Sequence, residues 1–302
     1  MTHELVLGET VETVRRNVFY GLQMAGLVGA IILLLTAIAW HKVARRHASW
    51  LNFMITWIIS CSSYLFLMRE PLGQQPDHNL CLFQAALVFS VPTLTSGATI
   101  ALVIHIYKTL SSLLTAPTNR PRTSWATAAL VIGPYIPAWA MFAFALRLGL
   151  GKPSLVYRPD DGTYCTLATN LPGRVSAVIV AAIMILCLAL EVVIFRNLRR
   201  TWATLQKDSQ IAIIIRVLAF TLVGMLSIIL SLVFLAIPSD GEAFNIVIAL
   251  VPVSSVLIFG TQKDIFAAWT SGFRRCDRAR EEDMRETFTR VESRQTVDHP
   301  IV

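Results

Sequence analysis

The stretch 81–108, CLFQAALVFSVPTLTSGATIALVIHIYK, is the feature that most constrains how this chain can fold. It is apolar for about 27 residues, and as a helix rising 1.5 Å per residue it would extend about 40 Å, which is longer than the hydrocarbon core of a bilayer is thick. It begins with Cys81, contains Pro92 and several small hydroxylated residues, and ends in Lys108. We predict that it is a transmembrane helix.

Six further apolar segments accompany it. The seven predicted spans are approximately 19–40, 50–68, 81–108, 124–146, 175–195, 211–237 and 244–261. The composition agrees with so many spans, because 55% of the 302 residues are hydrophobic, 15% are charged, and the mean hydropathy is +0.60. We therefore predict an all-α membrane protein, a seven-transmembrane helix bundle, and set aside a very apolar soluble protein.

The lysines and arginines predict the orientation of this bundle. With the N-terminus outside and the C-terminus inside, the inner connectors hold 13 of these residues and the outer connectors hold 7. The net charge of +7 lies mainly in such connectors, so we expect no nucleic-acid partner. The predicted regions are an extracellular N-terminus without a secretory signal at 1–18, the bundle at 19–262, an interfacial helix at 263–276 and a disordered cytoplasmic tail at 277–302.

The predicted interfacial helix follows the seventh span. Ile265, Phe266, Trp269 and Phe273 fall at helical offsets and form one apolar stripe beside basic residues. Such a stripe is typical of a short amphipathic helix that lies on the inner leaflet. Cys276 stands at its end, where either a palmitoyl chain or an unmodified thiol is compatible with the sequence.

Ionisable residues inside the spans restrict the function. The predicted spans contain His105, Glu191 and Arg216, and they hold no chain of carboxylates at mid-membrane, so a proton pump is disfavoured. The seventh span has no lysine for a retinal Schiff base, and no internal repeat of the transporter kind is visible. Because no catalytic or phosphate-binding motif is present, we expect no enzyme activity, no cofactor and no metal.

The cysteines divide by location. Cys61 and Cys187 lie inside apolar spans as packing residues, and Cys276 is expected to stay reduced in the cytoplasm. Cys81 and Cys165 are the two cysteines predicted on the oxidising side. We predict a disulfide between them, which would tie the long second outer loop to the third span.

These features together resemble the G-protein-coupled receptor family. The resemblance rests on seven spans with the N-terminus outside, the cysteine that opens the third span, its partner in the second outer loop, and the helix after the seventh span. Trp40 and His41, with PVSSVLIFGTQKDIFAAW closing the seventh span, look like fungal, basidiomycete-type receptors, and the chain is distantly similar to fungal mating-pheromone receptors. It departs from the animal rhodopsin-like pattern, because the third span ends in IHIYK and the sixth has no tryptophan-x-proline switch.

The resemblance implies a plasma-membrane receptor. It would bind an extracellular ligand, either an apolar molecule or a lipopeptide, and would signal to a cytoplasmic heterotrimeric G protein. A seven-helix transporter or channel, and a membrane enzyme or scaffold that does not signal, remain open as alternatives.

Two sets of residues are predicted for these tasks. Aromatic and hydroxylated residues near the outer face form the candidate ligand-binding set, although such residues also pack ordinary membrane helices: Tyr64, Pro92, Thr93, Thr95, Ser96, Tyr135, Trp139 and Tyr164. The candidate cytoplasmic set is His105, Tyr107, Lys108, Leu113, Leu114, Glu191, Arg199, Arg200 and Arg216. Within it, Glu191 and Arg216 are predicted at similar depth, either as an ionic latch or as side chains that snorkel separately.

Overall fold

The structure is a computed structural model in which 86% of the described residues are helical. It describes residues 2–40, 46–70, 75–114, 124–159, 163–205 and 242–261, with scattered positions between 218 and 229 and at 265, 268 and 269. Most of the sixth predicted span, Cys276 and the tail from 277 onward lie outside the described residues.

Seven helices have described bounds, and one small hairpin accompanies them. The helices are α1 Thr2–Ala39, α2 Ala48–Leu65, α3 His78–Leu114, α4 Ser124–Ile132, α5 Tyr135–Gly151, α6 Leu171–Leu205 and α7 Glu242–Gly260. A 3-10 turn at Pro153–Leu155 leads into strand β1, Val156–Tyr157, which pairs antiparallel with strand β2, Thr166–Leu167. The positions described between 218 and 229 are helical and lie in the sixth apolar segment.

Four helical stretches are long and apolar enough to cross a membrane: Thr13–Ala39, His78–Ser112, Trp125–Gly151 (α4 and α5 together) and Leu171–Asn197. Asn245–Gly260 is a shorter apolar stretch, and α2 carries more polar side chains. The chain is therefore a mostly helical, membrane-embedded protein. The count of seven spans and the direction of the termini stay predictions.

Helix α3 lies at the centre of the bundle. Of its apolar window, 72% is buried, against 22–33% for the other three long helices. It packs against α2, α5 and α6, whereas α1 packs against α2 and α7. Its start is capped by Asp77, whose carboxylate accepts hydrogen bonds from the backbone N–H groups of Asn79 and Leu80 at 2.9 and 3.2 Å.

The segment 124–146, predicted as one span, is two helices in the structure. The break falls at Gly133 and Pro134, because proline has no N–H to donate to the preceding turn. The break faces α3 at Gly97, where an added Cβ would lie 3.1 Å from the Cα atom of Pro134. Glycine at 97 lets the two helices approach closely.

Several helices also run past the predicted span ends. α3 continues to Leu114 rather than ending near 108, and α6 runs from Leu171 to Leu205 rather than over 175–195. The predicted span ends follow the thickness of the hydrocarbon core, whereas the ends of a helix depend on its capping residues and local sequence, so a helix can extend beyond the membrane.

The bundle has two ends, which we name by their contents. The end that holds the hairpin, the start of α3 and the end of α2 is the capped end. The opposite end holds the start of α2, the last turns of α3 and the positions described after α7. This division follows from the alternating direction of the helices along the chain.

Candidate functional site

A disulfide fastens the hairpin over the capped end. Cys81 in the first turn of α3 is bonded to Cys165 just before β2, with a Cα–Cα distance of 5.3 Å. Both cysteines are buried, and they pack in an apolar cluster with Leu67, Ala85 and Leu167. The predicted pairing of these two cysteines is confirmed.

A buried glutamine holds the same loop from below. Gln84, one turn after Cys81, has no exposed surface. Its side-chain amide N–H donates to the carbonyl of Ser63 in α2 at 3.0 Å, and its carbonyl oxygen accepts from the backbone N–H of Cys165 at 3.0 Å. One side chain therefore joins α2, α3 and the loop. Our sequence reasoning did not single out Gln84, although a glutamine one turn from a disulfide cysteine in an apolar helix is a visible signal.

Aromatic rings close the capped end on the side of α1. Tyr164 lies 5.3 Å from Tyr64 and 6.0 Å from Phe19, measured between ring centroids. The hydroxyl of Tyr20 donates to the backbone carbonyl of Thr163 at 2.6 Å. Together with the disulfide, these contacts fix the loop from 163 to 167 on three sides.

A cavity of about 460 Å³ lies beneath this loop. Its walls come from α2, α3, α6, α7 and the sixth apolar segment, with the loop at the capped end. The lining residues include Trp57, Tyr64, Val88, Pro92, Thr95, Ser96, Thr99, Tyr164, Asn170, Gly173, Arg174 and Met184. The volume falls within the range of about 300–1,000 Å³ that holds a small-molecule ligand.

Four hydroxyl groups of the cavity wall donate hydrogen bonds within the protein. The side chains of Thr95, Ser96 and Thr99 donate to backbone carbonyls of α3 at 2.8–3.2 Å. The hydroxyl of Tyr164 donates to the side-chain oxygen of Asn245 at 2.8 Å. The wall is therefore less polar towards a ligand than its residue types indicate, because these donors already have acceptors.

The structure brings five of the eight predicted ligand-binding residues to this cavity: Tyr64, Pro92, Thr95, Ser96 and Tyr164. Thr93 is fully buried beside it, with its hydroxyl 3.4 Å from that of Ser176. Tyr135 and Trp139 lie elsewhere. The hydroxyl of Tyr135 donates to the side chain of Asn52 at 2.8 Å, and Trp139 is 65% exposed on the outer surface of α5.

At the opposite end, His105 stacks on a histidine from another helix. Its ring lies 3.5 Å from that of His47, at an angle of 11°. His47 also caps α2, because its ring nitrogen accepts a hydrogen bond from the backbone N–H of Ser49 at 3.2 Å. The stack joins the start of α2 to α3. Of the neighbours of His105 in the predicted cytoplasmic set, Tyr107 is half-buried and Lys108 is exposed.

The remaining predicted cytoplasmic residues are spread over several places. Leu113 and Leu114 belong to the last turn of α3, and Arg199 and Arg200 to the last turns of α6. The guanidinium of Arg199 is exposed and lies 4.6 Å from the ring of Phe195. No side-chain geometry is described for the other three residues.

Glu191 is buried in α6, with 6% of its surface exposed. Neither carboxyl oxygen makes a hydrogen bond of regular geometry with a described residue, although the hydroxyl of Thr221 in the sixth apolar segment lies close enough to interact with the carboxyl group. Its predicted partner, Arg216, lies outside the described residues, so the ionic latch stays a prediction. Cys276, the predicted lipidation site, lies outside them as well.

The positions described after α7 contact the bundle. Ile265 is fully buried in the main core, and Trp269 packs against the same core. The indole N–H of Trp269 donates to the hydroxyl of Thr36 in α1 at 3.0 Å. The predicted apolar stripe therefore faces protein at these two positions; Phe266 and Phe273 lie outside the described residues.

Comparison with known proteins adds no assignment to this geometry. No family model matches the chain, and no curated protein is similar enough in sequence to count as a relative.

Proposed function

We propose that this chain is a seven-span plasma-membrane receptor of the G-protein-coupled kind, with the capped end outside and the C-terminus inside. The observation that carries the proposal is the cavity beneath the disulfide-fastened loop, since its walls come from α2, α3, α6, α7 and the sixth segment. A ligand there contacts five helical segments at once. It can therefore shift the equilibrium between their arrangements if it binds one arrangement more tightly.

Two prolines support movement of these walls. Pro92 lies inside α3 and lines the cavity, and Pro252 lies inside α7. Each removes one backbone donor from its helix and so weakens the helix locally. Pro252 packs on α1, where an added Cβ on Gly26 would lie 2.9 Å from the Cβ atom of Pro252. Bending of α7 at Pro252 would move it against α1.

The opposite end supplies the proposed surface for a heterotrimeric G protein. Lys108 and Arg199 are exposed there on α3 and α6. The stacked rings of His47 and His105 link α2 to α3 beside them. A change in the spacing of α3 and α6 at the cavity would alter the distance between these exposed cations.

Nucleotide exchange tests the proposal. The purified chain in lipid nanodiscs is combined with candidate G-protein heterotrimers, and guanine-nucleotide exchange is followed while compound libraries are added. We expect one heterotrimer to exchange faster in the presence of a compound, and a double Lys108→Ala, Arg199→Ala variant to lose part of that gain. Arg147→Ala, on α5 and exposed, is the matched control.

Three outcomes count against the receptor proposal. Exchange that no compound accelerates with any heterotrimer removes its central claim. Uptake of a bound compound into sealed vesicles identifies the transporter alternative instead. Binding without exchange or transport favours a scaffold that does not signal.

Orientation has its own test. Cys61 and Cys187 are buried, and Cys81 and Cys165 are joined, so Cys276 is the thiol expected to react with a membrane-impermeant maleimide. We expect labelling only after cells are permeabilised. Labelling of intact cells would place the C-terminus outside and reverse the proposed topology.

The proposed latch is tested by exchanging its charges. Glu191→Arg or Arg216→Glu alone would leave like charges in an apolar setting, which costs folding or alters basal signalling. The double variant should recover the wild-type behaviour. If it is no better than the single variants, the two side chains act separately.

A further inference from the structure

We infer that the cavity takes an amphiphile with an anionic head, such as a long-chain carboxylate, with the head at Arg174 and the apolar chain directed towards Met184. This inference deepens the proposed function, because it names the ligand class of the same cavity. It rests on the charge, the free donors and the shape of the lining.

The lining of the cavity, where it is described, carries positive charge and no negative charge. Among the described lining residues, Arg174 alone carries a charge, and none is acidic. Arg174 lies in the first turn of α6 and is exposed, so it stands at the rim of the cavity. The dipole of α6 also favours a negative group at this end, although few backbone N–H groups are free there: Pro172 has none, and those of Leu171 and Arg174 donate to Thr169 and Asn170. A cation placed at the same point adds a directional, charge-assisted donor.

Four other polar groups of the lining do not compete for this role. Thr95, Ser96, Thr99 and Tyr164 all donate to acceptors within the protein. Of the remaining polar lining residues, Thr166, Thr169 and Asn170 lie near the capped end with Arg174, and Ser176 pairs with Thr93, whereas Trp57 and Ser60 lie along α2. A ligand with polar groups along its whole length would lose hydrogen bonds to water that the deeper wall does not replace.

The residues that line the cavity extend over several turns of α3 and α6. Its lining extends along α6 from Gly173 to Met184 and along α3 from Val88 to Thr99. Each of these stretches corresponds to about 16 Å at 1.5 Å per residue. A deep apolar slot with a cation at one end matches a chain molecule with one anionic end. A whole lipopeptide exceeds a volume of about 460 Å³, so only its acyl part could enter.

Competition binding tests this inference on the full chain in nanodiscs. The probe is a long-chain carboxylate that carries a photoreactive diazirine near its methyl end. The competitors are a homologous series of straight-chain carboxylates and the primary alcohols of equal length. We expect each added methylene that fits the slot to tighten binding about fourfold, and each carboxylate to bind about tenfold more tightly than its alcohol. The crosslink should map to the deep end of the cavity, near Met184.

Arg174→Gln should reduce the affinity for carboxylates about tenfold and leave that for alcohols unchanged. Arg147→Gln removes an exposed cation that does not line the cavity, and it should change neither. Alcohols that compete as well as carboxylates, an Arg174→Gln variant that weakens both alike, or crosslinks confined to the lipid-facing surface would each overturn the inference. Failure here is distinct from failure of the receptor proposal, because nucleotide exchange with a ligand of another class would uphold the latter alone.

Discussion

Gln84 offers the sharpest test of how the loop is held over the cavity. Its amide makes two buried hydrogen bonds of 3.0 Å, one to α2 and one to the backbone N–H of Cys165. Gln84→Leu keeps a side chain of similar size and removes both bonds. It leaves the N–H of Cys165 and the carbonyl of Ser63 without this partner in a site that water does not reach.

The cost follows from these two groups. A buried polar group that loses its partner costs about 1–3 kcal/mol, and the added apolar surface of leucine offsets part of this. We expect a net loss of about 2–4 kcal/mol. For a protein of this size that corresponds to a fall in Tm of roughly 5–10 °C.

The assay uses thiols that the protein already contains. Cys61 and Cys187 are free and buried, so a dye that becomes fluorescent on reaction with thiols reports unfolding of the bundle. Cys276→Ala removes the tail thiol from the signal. The disulfide cysteines do not react while they remain joined.

Gln23 provides the matched control. It is 1% exposed in α1, and neither atom of its amide has a hydrogen-bond partner among the described residues. Gln23→Leu removes an amide that is buried away from water and has no hydrogen bond among the described residues to offset the cost of that burial. Tm should therefore stay the same or rise by a few degrees. If Gln84→Leu leaves Tm unchanged, or if both variants lose stability equally, then the hydrogen bonds of Gln84 do not hold the loop.

Three further predictions concern the contacts around the site. Replacing both disulfide cysteines by serine should lower stability by at most about 4.5 kcal/mol, given the sequence separation of 84, and reduction of the wild type should give the same Tm as that variant. Gly29→Ala should cost about 1–3 kcal/mol, because its Cβ would lie 2.5 Å from a methyl carbon in α7, whereas Gly21→Ala meets nothing within 4 Å and should be neutral or slightly stabilising. Trp269→Phe loses the hydrogen bond to Thr36 and should lower stability by about 0.5–1.5 kcal/mol in the same dye assay.

The sequence predicts the large features of this fold because they follow from the bilayer. Runs of apolar residues predict the long helices, and the location of Cys81 and Cys165 predicts their bond. The segment 124–146 was predicted as one span, with Pro134 as a candidate for a local bend, and the structure has a break there. Proline is tolerated inside α3 at Pro92, so its presence alone does not predict a break. What differs at 133–134 is that a glycine precedes the proline, whereas a valine precedes both Pro92 and Pro252, and glycine and proline are the two residues that disfavour a helix interior most.

The cavity shows a second limit of prediction from the sequence, which concerns the partners of hydrogen-bond donors. Thr95 and Ser96 were predicted from their hydroxyl groups, yet in the structure those hydroxyls donate to carbonyls one turn earlier in their own helix. Arg174, counted only as a connector charge, lines the cavity at its capped end. A residue type tells which bonds a side chain can make, but packing decides which partner takes them. In a membrane bundle, where little water is available as an alternative partner, hydroxyl groups donate to the carbonyls of their own helix. The charged group at the rim of the cavity, Arg174, then remains as a donor for a ligand.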